Sequence, residues 1–159
     1  MLIMPVQRTL LIIAHAPSEN TKLLANAVVK GASNSDIENV NVRSLSPLET
    51  QADDINSAHA IIIGTTENLG YMAGLVKDVF DRCYYDCIEK TQGMPFSFYV
   101  RAGHDGTGTK RAIESITTGL KWKLVQAPLI CRGDFQAAFI EQCEELGLTM
   151  AASLDSGII

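Results

Sequence analysis

Five segments of the chain carry the hydrophobic pattern of β-strands. Three of them are almost continuously apolar, as is typical of strands covered on both faces of a parallel sheet; they are residues 8–15, 59–65 and 95–102. Residues 37–45 alternate apolar and polar positions, as a half-buried edge strand would. Residues 123–131 contain Pro128, which predicts a break or an edge position. The pattern therefore predicts five strands.

Helical spacing is clearest in residues 72–90. Apolar residues recur there every three or four positions, at Met72, Leu75, Val76, Val79, Phe80, Cys83 and Cys87. Lys77 precedes Asp81 and Asp78 precedes Arg82 by four residues, a spacing that lets opposite charges pair on the solvent side of a helix. The segment is therefore predicted to be an amphipathic helix.

Four further segments favour helices. One follows the first strand, with Leu23, Leu24, Ala27 and Val28 on one face and Gly31 as a typical helix stop. The others are residues 47–57, 109–122 and 135–153. Because five strands alternate with five helical segments, we expect an α/β fold with a parallel sheet wrapped on both faces. A length of 159 residues suits one domain over residues 1–159.

Composition narrows the class of protein. The chain is 47% hydrophobic and 19% charged, as in ordinary soluble globular proteins, and its net charge of −5 argues against a sequence-independent grip on nucleic acid. No segment approaches the roughly 18 apolar residues of a membrane span. Pro5 and Gln7 interrupt the N-terminal apolar stretch, and residues 10–14 are shorter than the roughly 7–15 residues of a signal-peptide core. We therefore expect a core strand there and a cytoplasmic protein.

Four cysteines raise the question of a metal site or disulfides. Cys83 and Cys87 lie four residues apart on the apolar side of the predicted helix, while Cys131 and Cys143 are isolated in sequence. One such pair without a second nearby is a poor zinc signature. Free cysteine on an apolar face behaves as a small hydrophobic residue. We therefore expect reduced core thiols and no metal.

The loop after the first strand contains Ser18, Asn20 and Thr21 where a helix must begin. The unpaired N–H groups of a helix N-terminus attract phosphate, and short hydroxyl or amide side chains add hydrogen bonds. Ser and Asn are also ordinary helix caps that need no ligand. Glu19 counts against a phosphate unless its carboxylate points away. On the residues alone, both interpretations stay open.

The connection between the third strand and the following helix contains Thr66, Glu67, Asn68, Leu69, Gly70 and Tyr71. Its backbone could bond the edge of a planar ring, with Leu69, Tyr71 or Met72 packed against the ring face and Gly70 allowing close approach. In the alternative interpretation, Asn68 caps the helix, and Leu69 and Tyr71 cover the core.

The third candidate loop, residues 101–111, contains three glycines and His104. It is not a Walker A motif, since Thr109 stands where the lysine should follow Gly108. Gly106 and Gly108 also lack the third glycine of the dinucleotide fingerprint. His104 is either a solvent-facing loop residue or part of a site. Because the carboxyl ends of parallel strands share one edge, we expect all three loops to meet there.

In this order, the three loops resemble those of the flavodoxin-like superfamily, nearer its NAD(P)H-dependent FMN reductase and quinone reductase branch than the flavodoxins proper. The segment SENTKLLA is similar to the family's phosphate loop, in which an Asn-Thr pair opens the first helix. The segment GTTENLGYMAGLVKDVFDR is similar to its isoalloxazine loop, and RAGHDGTG is similar to the Gly-rich loop along the ring.

This resemblance implies a flavodoxin-like three-layer sandwich with a five-stranded parallel sheet of order 2-1-3-4-5, and bound FMN. The phosphate would lie on the first loop, and the ring would be framed by the second and third loops. The implied cofactor contacts are His15, Ser18, Asn20, Thr21, Thr66, Glu67, Asn68, Leu69, Gly70, Tyr71, Ala102, Gly103, His104 and Gly106.

The resemblance also implies an oxidoreductase that passes hydride from NAD(P)H through FMN to a quinone or other small acceptor. The cofactor would carry this chemistry, so we assign no catalytic acid or base. We expect a homodimer or homotetramer. Two alternatives are a flavodoxin-type electron-transfer protein and a flavodoxin-like binding domain that has lost FMN. Glu19, where the family often has Gly or Pro, keeps the last alternative open.

Overall fold

The computed structural model describes residues 6–159; residues 1–5, including the predicted interruption at Pro5, lie outside the described residues. The strands are β1 Arg8–Ala14, β2 Val40–Leu45, β3 Ala60–Asn68, β4 Tyr71–Met72, β5 Pro95–Ala102, β6 Lys123–Leu124 and β7 Leu129–Arg132. The helices are α1 Glu19–Ala32, α2 Ala52–Asn56, α3 Gly74–Cys87, α4 Thr107–Gly119 and α5 Ala137–Asp155.

The sheet has the order β2-β1-β3-β5-β6, with these neighbours parallel. β7 also pairs with β5 in parallel, so β6 and β7 are the two halves of the predicted fifth strand. The strand is interrupted between them: the N–H of Val125 still donates to Phe96 of β5, and the break follows at residues 126–128, where Pro128 lacks an N–H to donate. The predicted order 2-1-3-4-5 is confirmed, and so is the prediction of β2 at an edge.

Helices cover both faces of the sheet, as predicted. Successive residues of β1 point to opposite faces, so Leu11 and Ile13 join one apolar layer while Leu10 and Ile12 join the other. The first layer also receives the buried faces of α2, α3 and α4. The second receives α1 and α5. Burial of both layers explains why the central strands read as unbroken apolar runs.

The role predicted for Gly31 requires correction. α1 does not stop at this residue but continues to Ala32. A Cβ atom at Gly31 would lie 1.9 Å from the carbonyl oxygen of Glu144, and one at Gly147 would lie 2.0 Å from that of Val28. Glycine is therefore needed here because the backbones of α1 and α5 touch, rather than because the helix ends.

The connection after β3 also differs from the prediction. β3 continues to Asn68 and turns through Leu69 and Gly70 into the antiparallel strand β4. Both turn residues have positive φ, 52° and 74°, as in a type I′ hairpin. Met72 is thus in a strand, and α3 begins only at Gly74. Its N-cap is Ala73, so the interpretation of Asn68 as the cap is wrong.

The remaining boundaries shift by a few residues, as helix ends commonly do. α4 spans residues 107–119 rather than 109–122, and α5 spans 137–155 rather than 135–153.

The charge pairs predicted on α3 are confirmed as ion pairs, Lys77 with Asp81 and Arg82 with Asp78. Both therefore lie on the solvent side of this helix.

All four cysteines are free and buried. Cys83 and Cys87 lie on the inner face of α3, and burial raises the pKa of Cys87 to about 11. Residues 6–159 contain no cluster of three or more His, Cys, Asp and Glu side chains arranged to hold a metal ion. Within the same residues, no helix is long and apolar enough to cross a membrane.

Candidate functional site

The three loops singled out in the sequence meet at one edge of the sheet. In the strand register, Ala14 of β1 pairs with Gly64 of β3, and Gly64 pairs with Tyr99 of β5. Since these strands are adjacent and parallel, the segments that follow them emerge on the same side. We call them the first loop, residues 15–21, the Leu69 hairpin, residues 66–72, and the third loop, residues 102–109.

The first loop ends in a reciprocal cap at the start of α1. Ser18 is the N-cap, and its Oγ accepts the N–H of Thr21 at 3.2 Å. In return, the N–H of Ser18 donates to Oγ1 of Thr21 at 2.9 Å. The two hydroxyl groups also lie 2.9 Å apart. The capping interpretation is therefore confirmed for Ser18, with the buried Thr21 as its partner, while the Asn20 side chain makes no capping bond within the described residues.

Two backbone donors of α1 stay open beside this cap. No acceptor from residues 6–159 bonds the N–H of Glu19 or Asn20. The Glu19 side chain is 91% exposed and pairs with Lys22 at 3.3 Å on the helix surface, so its carboxylate turns away from these donors. Ser18 and Asn20 are exposed. The first loop can thus cap its own helix and still present two N–H groups to an anion.

His15 joins the first loop to the sheet. Its N–H donates to the carbonyl oxygen of Gly64 at 2.9 Å, continuing the pairing of β1 and β3 by one bond. Partial burial of the ring lowers the pKa of His15 below its ordinary value. The imidazole is therefore predominantly neutral at neutral pH and adds no full positive charge to this edge.

Leu69, at the tip of the hairpin, is unusual in both its backbone conformation and its exposure. A bulky residue with positive φ is uncommon and strained, and its side chain is fully exposed to solvent. Tyr71 is 41% exposed, whereas Met72 is buried. The interpretation that Leu69 and Tyr71 cover the core is therefore wrong: Met72 does so. The two side chains leave an apolar surface available to a flat ligand.

Hydroxyl and amide groups fix the base of the hairpin. The Oγ1 of Thr66 donates to Oδ1 of Asn68 at 2.8 Å, and the N–H of Ala73 donates to Oγ1 of Thr65 at 3.0 Å. The Thr65 hydroxyl in turn donates to the carbonyl oxygen of Thr66 at 2.9 Å. Thr66 and Asn68 thus use their side chains within the hairpin.

The hairpin contacts the third loop directly. Glu67 accepts the N–H of His104 at its Oε1, at 2.9 Å, and the N–H of Gly106 at its Oε2, at 2.8 Å. A Cβ atom at Gly108 would lie 2.1 Å from the carbonyl oxygen of Gly70. The two segments expected to frame a ring are therefore bridged by one carboxylate and packed together at two glycines.

Within the third loop, Ala102 is buried at the end of β5, Gly103 and His104 are exposed, and Gly106 is the buried N-cap of α4 with φ 70°. The sequence interpretation missed Asp105, whose Oδ1 accepts the N–H of Thr107 at 3.0 Å. That bond lowers the pKa of the Asp105 carboxyl. An Asp four residues before the predicted helix was the available signal. Gly108, treated only as part of a motif, fits closely against the hairpin.

The wider surface offers grooves elsewhere. One of about 290 Å³ lies between the β6–β7 connection and α5, lined by Gln126, Pro128, Gln142 and Glu145 among others. Its lining shares no residue with the three loops. The candidate site is formed by the α1 N-terminus and the exposed hairpin.

Solved structures of other proteins share this architecture. A flavodoxin from the domain Archaea superposes with a TM-score of 0.74 at 17% sequence identity, covering 92% of this chain and 98% of that chain. The two-electron reduced flavodoxin of Megasphaera elsdenii superposes with a TM-score of 0.71 at 19% identity, covering 90% and 98%. The fold is flavodoxin-like.

The flavodoxin-like fold is shared with a flavodoxin, WrbA-like protein from Agrobacterium tumefaciens, with a TM-score of 0.67, 14% identity and coverage of 92% of this chain and 96% of that chain. No protein-family model matches the sequence, and the comparison with curated proteins found no match. The likeness at these identities concerns the fold, so the function must be argued from the site.

Proposed function

We propose that the protein binds FMN and acts as an oxidoreductase, passing hydride from NAD(P)H to a quinone or another small acceptor. The observation that carries the proposal is the α1 N-terminus. Within residues 6–159, two backbone N–H groups lack an acceptor there, while the carboxylate of Glu19 in the same turn points outward to Lys22. Such a site favours a phosphate, and the outward direction of Glu19 supports this proposal.

The residues present fit FMN at both ends of the molecule. At the phosphate end, Ser18 and Asn20 are exposed beside the open N–H groups of α1. At the ring end, Leu69 and Tyr71 expose apolar side chains on a rigid hairpin at the same sheet edge. Full burial of the exposed Leu69 side chain against a ring would contribute roughly 1.5–3 kcal/mol. The roles of all fourteen predicted contacts remain part of this proposal.

In the proposed mechanism, FMN supplies the hydride and electron chemistry when bound. The chain holds the phosphate on the first loop, orients the ring against Leu69 and Tyr71, and keeps the third loop in place through Glu67. Neutral His15 adds no full positive charge near the phosphate. No side chain is required as a proton donor or acceptor.

The direct test is a titration of the purified protein with FMN, followed by flavin fluorescence and by the melting temperature. Riboflavin, which lacks the phosphate, is the matched control ligand. We expect FMN to bind at least about tenfold more tightly than riboflavin, a difference of about 1.4 kcal/mol, and to raise the melting temperature. A protein that stays colourless and shows no thermal shift with FMN would favour the domain that has lost its cofactor.

A second candidate is an electron-transfer protein of flavodoxin type, favoured by the flavodoxins among the similar structures. Such a protein would exchange electrons with partner proteins and would not turn over a small substrate. Steady-state oxidation of NADH or NADPH with a quinone or ferricyanide separates the two. FMN that binds but is not reduced by either nicotinamide would favour the carrier.

The proposal includes self-association, because a site on exposed loops is often completed by a second copy. Leu69 and Tyr71 are exposed in the single chain. Light scattering after size-exclusion chromatography, with and without FMN, would distinguish a homodimer or homotetramer from a monomer.

A further inference from the structure

The bridge made by Glu67 joins two segments that are distant in sequence. Its carboxylate lies at the end of β3, and both its oxygens accept backbone N–H groups of the third loop, from His104 and Gly106. Neither donor belongs to a helix interior or a strand. Bonds from backbone N–H groups to an ionised carboxylate are among the stronger hydrogen bonds in proteins.

Few hydrogen bonds from other elements reach residues 103–106 of the third loop. Asp105 bonds Thr107, which is local, and the N–H of Lys110 donates to Gly106 within the first turn of α4. Among residues 6–159, the side-chain hydrogen bonds that reach residues 103–106 from another element come from Glu67 alone. The side-chain hydrogen bonding of residues 103–106 to other elements therefore depends on one side chain of the hairpin.

We propose that Glu67 is a positioning residue that couples the third loop to the Leu69 hairpin. This inference rests on the proposed function, and it changes the role of Glu67 from a cofactor contact to a support behind the contacts. Both carboxylate oxygens are engaged by the loop, so the side chain orders the ligand's surroundings in advance. A loop ordered before binding lowers the entropy cost of binding.

The negative charge of Glu67 and its positioning role predict opposite effects of Glu67→Gln on FMN affinity. FMN carries a negative phosphate, so removal of a nearby negative charge would by itself strengthen binding. The glutamine amide, however, has one acceptor oxygen and one NH₂ group, which cannot accept the second N–H. Positioning therefore predicts that E67Q binds FMN about tenfold more weakly than the wild type.

The matched control is Glu114→Gln, which removes one negative charge from the exposed side of α4, where Glu114 pairs with Lys110 at 3.6 Å. E114Q is expected to bind FMN like the wild type. The spectroscopic readout is the amide proton signals of His104 and Gly106 in protein without flavin. In E67Q, at least one should move upfield and exchange faster with solvent, while both stay unchanged in E114Q.

The outcomes separate this inference from the proposed function. If E67Q binds FMN as tightly as the wild type, or more tightly, Glu67 does not position the site. Unchanged amide signals in E67Q would overturn the coupling itself. If the wild type binds no FMN, the proposed function fails, and the two amide signals still decide whether Glu67 holds the third loop.

Discussion

The helices α1 and α4 both begin directly after strands of the same sheet, but their N-termini are occupied differently. At α1, Ser18 caps the helix, while the N–H groups of Glu19 and Asn20 find no acceptor within residues 6–159. At α4, the N-cap is Gly106, which has no side chain. There, Glu67 accepts the N–H of Gly106 and Asp105 accepts that of Thr107.

This difference shows which of the two helix starts is better suited to bind an anion. Every helix N-terminus favours negative charge, because its first N–H groups are unpaired and the helix dipole is positive there. The protein places two carboxylates of its own, Glu67 and Asp105, at the start of α4, while at α1 the carboxylate of Glu19 turns away. The N–H groups of Gly108 and Thr109 at α4 likewise find no acceptor within residues 6–159, so both helices have open donors. The glycine-rich third loop has the more nucleotide-like sequence, yet the open donors of the plainer first loop are the ones without a carboxylate bonded beside them.

The largest expected effect on stability comes from disrupting the close contact between α1 and α5 at Gly31. In Gly31→Ala, the new methyl group would meet the carbonyl oxygen of Glu144, so α1 must move away from α5. We expect the free energy of unfolding in urea to fall by about 3 kcal/mol. Gly108→Ala, the counterpart at α4, collides only with the hairpin at Gly70 and should cost less. Equal losses would show that the two helices are supported alike.

The next largest effect tests the open donors of α1. Asn20→Asp places a negative charge beside them, which should weaken FMN binding about tenfold, or about 1.4 kcal/mol. The same charge should stabilise the helix by about 0.3–1 kcal/mol, because it lies in the first turn. Affinity and stability thus move in opposite directions. Thr107→Asp at the occupied α4 N-terminus is the control, and an equal loss of affinity there would contradict the comparison.

A smaller change removes the cap of α1. Ser18→Ala loses the hydroxyl that accepts the N–H of Thr21, and we expect a loss of about 1 kcal/mol in the free energy of unfolding. Ser18→Thr retains a hydroxyl and should restore most of this stability. Chemical denaturation of the three proteins measures both differences, and an unaffected alanine variant would mean that the cap does not stabilise α1.

The smallest effect concerns Asp105 at α4. Its bond from the N–H of Thr107 lowers the pKa of the carboxyl, so the charged form is favoured in the folded state. This contribution is present above the unfolded pKa and is lost as the pH falls through the lowered folded value. Asp105→Asn should therefore melt slightly below the wild type at pH 7, with the charge-dependent part of the difference gone near pH 2. A difference in melting temperature that does not change with pH would show that the charge of Asp105 is not its cause.

The sequence predicted most of the fold because its signals are local. Burial on both faces makes β1, β3 and β5 apolar throughout, and Pro128 marks the interruption between β6 and β7. The strand order came from the resemblance, since periodicity does not record which strands are neighbours. The hairpin was missed because Leu69 is an unusual residue for a turn with two positive φ angles.

The candidate site was less predictable, since its geometry depends on contacts between distant residues. The outward direction of Glu19 is set by Lys22, three residues away, and could have been anticipated from helical spacing. The contact of Glu67 with His104 spans 37 residues, and no local pattern indicates it. The close approach of Gly70 to Gly108 likewise appears only when the hairpin is folded.

Leu69 has a consequence for directed evolution. Its positive φ reduces stability, its fully exposed side chain contributes no burial in return, and glycine or asparagine would relieve the backbone strain. A library selected only for heat resistance, without flavin, should therefore exchange Leu69 early. A library selected for flavin retention should keep it. The contrast between the two selections would show what the exposed leucine is for.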